Sequence, residues 1–201
     1  MKSTSRLARV LGFRPMTVAL FTVWLGLGLL SPARASVLMA MDLETLTNSA
    51  DHVLVGTVEK VESHYLSPAS RYIVTDVTVR SERNLLGVPE GTRFVVRKLG
   101  GAVGELGQLV HGEASYQVGE QVLLFASERQ GAFYAVGMAQ GALHIYRDSA
   151  GVQRVGVDLA GAELSGPALA AAPSGRTLDE VVSQVQGYLS RRPTQSQKRS
   201  Q

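Results

Sequence analysis

The stretch richest in chemistry is Gly100–Tyr116 (GGAVGELGQLVHGEASY), where Gly100, Gly101, Gly104, Gly107 and Gly112 are interleaved with His111, Glu113 and Tyr116. Glycines permit positive φ and let a ligand or second chain approach the backbone closely. His111 and Glu113 are two residues apart, so an extended chain aims both at one face. An imidazole and a carboxylate on one face are the start of a metal-dependent hydrolase site, with another histidine as a further ligand. The plainer account is a long hairpin whose glycines serve turns. The connection outruns the ~12–15 residues beyond which loops are uncommon unless functional or disordered, so it is the candidate binding loop. It is no P-loop, because no Gly-Lys-Ser/Thr closes it.

The other reactive residues carry weaker patterns. His52, His64, His111 and His144 contain no H-x-H, H-x-x-x-H or H-E-x-x-H spacing. His52, at a strand start, reads as a surface or edge residue, and His144, alternating with Ile145, as solvent-facing. No G-x-S-x-G marks a serine nucleophile. Glu105, Glu113 and Glu120 supply carboxylates for glycosidase chemistry, but nothing in their surroundings sets them apart. Arg93, Arg97 and Lys98 around Phe94 have the composition of a single-strand platform. Basic residues alternating with apolar ones are also the ordinary solvated face of a strand, and that reading is preferred. Cysteine is absent, which excludes thiol catalysis, Cys-ligated zinc, iron–sulfur clusters and disulfides. No catalytic residue, metal or cofactor is assigned.

The elements that must hold the loop follow from period and caps. Met41–Ala50 predicts a short helix capped by Asp42. Strands are expected over His52–Ser63 (bent at Gly56), Tyr72–Ser81, Thr92–Leu99, Glu120–Ser127, Ala132–Gly137, Ala142–Arg147 and Val152–Leu159. Residues 161–176 have the Ala/Pro/Gly composition of a linker. Thr177-Leu178-Asp179-Glu180 is a capping box. It opens a helix over 177–190 whose stripe of Leu178, Val181, Val182, Val185 and Leu189 should cover an open end or a face of the strand framework. Residues 191–201 read as a disordered basic tail. The fold expected is mainly β: a small Greek-key OB-like β-barrel over 36–160, with a short N-terminal helix and an amphipathic C-terminal one. A β-sandwich is the alternative.

Residues 1–35 predict a destination. Lys2, Arg6, Arg9 and Arg14 form a basic head, Met16–Leu30 an apolar run, and Ala33-Arg34-Ala35 a small-residue box, the order of a secretory signal peptide cleaved after Ala35. The apolar run falls short of the ~20 residues a spanning helix needs, so membrane contact is expected only through the uncleaved signal. The whole chain has 20 Lys+Arg against 17 Asp+Glu. All those acids lie after the leader, and the end of the chain adds Arg191, Arg192, Lys198 and Arg199, so the body between is acidic. A nucleic-acid reader carries positive charge where phosphates dock, so nucleic acid is not an expected partner.

A family pattern joins these pieces. Ala50-Asp51-His52-Val53-Leu54-Val55-Gly56-Thr57-Val58, Val74-Thr75-Asp76-Val77-Thr78-Val79, Leu86-Gly87 and Tyr116-Gln117-Val118-Gly119-Glu120-Gln121-Val122-Leu123-Leu124-Phe125 carry it. Lys98–Phe125 and Gly137–Asp148 resemble a group of uncharacterised exported bacterial proteins with the layout GGxxGxxGxxVxGxxxYxVGExVLLF and then GxAQGxxxxxRD. More distantly, residues 42–148 are similar to the netrin-like OB barrel of the tissue inhibitors of metalloproteinases. That resemblance implies the fold. It does not imply the inhibitory mechanism, which chelates zinc through an N-terminal cysteine where this chain offers Ser36-Val37. The function expected is an exported, non-catalytic binding or inhibitor-type module with a possible protein partner, periplasmic or extracellular. The alternatives are a metal-dependent hydrolase using His111 and Glu113, or an envelope structural or assembly factor.

Overall fold

The computed structural model describes residues 36–192. The expected signal peptide over 1–35 and most of the expected basic tail lie outside the described residues. The fold is mainly β.

Two long antiparallel strands form its spine, β2 (His52–Tyr65) and β3 (Ile73–Leu86). The register between them shifts at three places, one beside Gly56. A Cβ at Gly56 would run into the Arg80 carbonyl, so glycine is what lets β2 bend here. Strand β4 (Arg93–Leu99) continues antiparallel from β3, and β7 (Gln121–Arg129) flanks β2 on its other side. From β7 the chain turns back as β8 (Ala132–Ala135), which meets β4 in parallel at Arg97 and Tyr134. Strands β2, β3, β4, β8 and β7 are thus hydrogen-bonded in a ring. Strands β9 (Ala142–Arg147) and β10 (Gln153–Gly156) extend outward from the first half of β7.

Alternation along the strands sorts the apolar side chains into two cores. Inside the ring lie Leu54, Val58, Val77, Val79, Phe94, Val96, Val122 and Leu124. Outside it, Val53, Val55, Leu123 and Phe125 face two helices. The first, α1 (Leu43–Ser49), starts where the Asp42 carboxylate accepts from the Thr45 amide (2.8 Å). The second, α2 (Leu178–Arg191), begins with the expected capping box between Thr177 and Glu180. Leu178, Val181, Val182 and Val185 are buried, and the helix lies with α1 on the outer face of the ring. No helix among the described residues is long and apolar enough to cross a membrane.

The expected linker is structured. Within 161–176, strand β11 (Ala162–Ser165) pairs in parallel with β1 (Ser36–Met39), and a 3-10 turn covers Pro167–Ala171. Composition gave no hint of this because β11 is specified by a partner more than a hundred residues away. Gln140 secures the same region: its amide oxygen accepts from Met41 N–H (2.8 Å) and its amide nitrogen donates to the Met39 carbonyl (3.0 Å).

Candidate functional site

The glycine loop leaves β4 and immediately folds into a small hairpin, β5 (Gly101–Val103) and β6 (Leu106–Gln108). Gly100 has φ +81° and donates its amide to the Ile73 carbonyl (2.8 Å). Gly101 lies against the Ser63 and Thr75 hydroxyls, where a Cβ would clash. These two glycines seat the hairpin on the ends of β2 and β3. Gly104 makes the hairpin turn at φ +60°, and Gly107 faces open space. Beyond the hairpin, Gly112 lies under Leu38 of β1. Ala114 and Tyr116 then join the inner core, so the loop closes one end of the ring.

Between hairpin and ring end is a cleft of about 400 Å³, lined by Lys98, Leu99, Gly101, Gly107, Gln108, Leu109, Val110, Glu113, Ser115 and Ala160. Leu99 and Leu109 stand exposed at its rim, at 42% and 73%. Glu113 is only 8% exposed. Burial pushes its carboxyl above the usual range, against the opposing pull of the Leu99 amide and of Lys98. Burial likewise lowers the Lys98 ammonium, although Glu113 and Asp158 draw it the other way. Lys98 Nζ donates to the Ala114 carbonyl (2.7 Å). It makes no direct ion pair with Glu113. From the cleft wall, Ser115 Oγ donates to Asp158 (2.6 Å), which holds that carboxyl below its ordinary range.

Of the residues singled out in the sequence, Gly101, Gly107 and Glu113 line the cleft, whereas Gly100, Gly104, Gly112 and Tyr116 shape the loop around it. His111 does not line the cleft; its Nδ1 lies 3.2 Å from the carbonyl of Ala160, which does. No group of three His, Asp or Glu side chains able to hold a metal occurs among the described residues. Glu120 is engaged too, accepting from the Gln117 amide and facing His144 Nδ1 at 3.2 Å.

Two histidines depart from the sequence reading. His144 does not face solvent: it is half-buried, its Nε2 is enclosed without a partner, and its ring lies 6.5 Å from that of Tyr116. The Tyr116 hydroxyl is enclosed and unpartnered as well, and burial raises its pKa. His52 is no edge residue either. It packs between Phe94 and Phe133, with ring centroids 5.3 and 4.9 Å away.

On β4, Phe94 points inward, Arg93 pairs with Glu59 (2.7 Å) and Arg97 grips Asp76 with two nitrogens (2.7 and 2.9 Å). On the outer face of β4 the two arginines are therefore each paired with a carboxylate. Lys98 departs from the solvated-face reading: it shares the period-two face of Phe94 and Val96, projects inward and lines the cleft. In comparisons with known proteins, no protein-family model, no curated protein and no solved structure matches this chain.

Proposed function

We propose that this chain is exported, cleaved after Ala35, and acts in the periplasm or outside the cell as a non-catalytic binding module on an OB-like Greek-key barrel. The order of the ring, β2-β3-β4-β8-β7, and the parallel contact of β4 with β8 support that architecture. Both fit the fold that the resemblance to the netrin-like barrel implies. Inhibition through a free N-terminus is not part of the proposal, because Ser36–Met39 is paired along β11 and there is no cysteine.

The observation that carries the binding reading is the cleft itself. A buried carboxyl and a half-buried ammonium line it under exposed leucines, without pairing with each other. Recognition residues commonly sit on loops held by a rigid scaffold, and small-molecule sites set a few polar groups in apolar walls. A photoreactive phenylalanine at Leu109 in the exported protein should give a defined mass adduct in its native host. The same group at Val152, exposed on the turn between β9 and β10 and outside the cleft lining, should give none, and Glu113→Gln should weaken the Leu109 adduct. Equal labelling at both positions, or none, refutes the proposal. So does stoichiometric zinc in purified protein that disappears in His111→Ala, which supports the metal-hydrolase alternative.

A further inference from the structure

The polar groups of the cleft define what would complement it. Lys98 has given one N–H to the Ala114 carbonyl, leaving two of its three donors. The Glu113 carboxyl is nearly covered and has only the Leu99 amide and the distant Lys98 charge in its favour. Opposite charges withdrawn from water and not joined are a costly arrangement, since each loses hydration and gains only an uncharged backbone partner. A simple anion would satisfy Lys98 and repel Glu113; a simple cation would do the reverse. A neutral peptide segment reaches both groups but leaves both charges uncompensated.

Resting on the reading of this cleft as a binding site, we infer that its ligand is a small zwitterion with an apolar side chain, of the α-amino-acid class. Its ammonium is held by Glu113, its carboxylate by Lys98, and its side chain lies against Leu99, Leu109 and Val110. A volume of about 400 Å³ suits a ligand of this size, near the lower end of the ~300–1,000 Å³ usual for small-molecule sites. Gly107 faces open space, so no side chain narrows the cleft there.

The test uses the full mature chain, L-leucine as probe, and titration followed by amide NMR and calorimetry at neutral pH. Leucine should bind and shift the amides of Leu99, Leu109 and Glu113. Leucinamide, lacking the carboxylate, and N-acetyl-leucine, lacking the ammonium, should each bind at least about tenfold more weakly, in line with the measured worth of ~1.5–3 kcal/mol for a hydrogen bond to a charged group. Glu113→Gln and Lys98→Met should each weaken leucine to a similar degree. Because Lys98 also supports the Ala114 carbonyl, Gly107→Phe is the independent control: it adds a side chain where a Cβ meets open space, and it should block binding without lowering the melting temperature. Leucine that fails to bind at millimolar concentration, or binds no better than its two blocked analogues, overturns the inference. If position 109 still yields its adduct in that case, the binding-module reading stands and only the zwitterion is wrong. If that adduct is missing as well, both fall.

Discussion

Leu38 of β1 rests on the backbone of Gly112, so close that a Cβ at position 112 would lie 2.8 Å from Leu38 Cδ1. The Gly112 carbonyl at the same time accepts from the Ala139 amide (2.9 Å). The loop is thereby clamped between β1 and the 3-10 turn Met138–Gly141, one residue before Glu113 enters the cleft.

Gly112→Ala tests the clamp. Gly112 has φ +86°, a conformation that costs a non-glycine residue about 1–2 kcal/mol, and the new methyl also displaces Leu38. For a domain of this size the melting temperature should fall by several degrees, at roughly 2–4 °C per kcal/mol. A thermal melt followed by circular dichroism measures it. An unchanged melting temperature would mean that the loop shifts freely and β1 does not hold it.

The helix α2 offers a sharper contrast. Val185 is fully buried between the ring and α1, whereas Gln186 beside it is exposed. Val185→Asp places an unpaired carboxylate in the outer core and should cost several kcal/mol, a large share of the ~5–15 kcal/mol that holds a domain together. Gln186→Asp should stay within about 0.5 kcal/mol of the parent. Equal tolerance at both positions would show that the stripe does not support the ring.

What the sequence made legible was local. The Asp42 cap, the Thr177/Glu180 box and the alternation of β2, β3, β4 and β7 depend on neighbours a few residues apart, and each appears near its expected place. The ring closure depends on one parallel pair, Arg97 with Tyr134, which leaves no periodic trace. Strand β11 has the composition of a linker and becomes a strand only by pairing with Ser36–Met39. At the site, the loop marks Glu113, whereas the basic residues alternating along β4 give Lys98 the pattern of a solvated face. The parity that places Lys98 with Phe94 and Val96 was available in the sequence; so was that of His144, which pairs with the inward Val122. Strand register, rather than charge or polarity, decides where both side chains point.

His64 on β2 predicts a modest pH dependence. Its Nε2 lies 2.9 Å from the Asp76 carboxylate and its Nδ1 2.9 Å from the Tyr65 carbonyl. Both ring nitrogens face acceptors, so the imidazolium suits the site, and the Asp76 bond raises the His64 pKa above its ordinary 6.5. The stabilisation is therefore complete below pH 6.5 and is lost as pH rises through the higher folded-state value. The side chain is 44% exposed, so solvent screening keeps the effect below about 1 kcal/mol. His64→Ala should lie further below the parent in melting temperature at pH 5.5 than at pH 8.5. A gap that widens with rising pH would contradict the pairing.

Glu113 should behave in the opposite sense, and that contrast separates a group kept for binding from one kept for stability. Burial raises its folded-state pKa above the ordinary 4.5, so folding favours the protonated carboxyl. Below pH 4.5 the group is protonated in both states and carries no penalty. As pH rises through the folded-state value, the buried carboxylate loses hydration that the unfolded chain retains, and stability falls to a lower plateau. Glu113→Gln keeps the shape and removes the charge. It should be more stable than the parent at pH 7.5, by about 1 kcal/mol or more given the usual cost of a poorly compensated buried group, and the advantage should vanish near pH 4. Denaturant unfolding at the two pH values measures both differences. A variant that folds better while binding leucine worse is the behaviour of a residue retained at a cost to the fold. A variant less stable than the parent at pH 7.5 would instead make Glu113 a structural anchor of the loop, held by the Leu99 amide and Lys98.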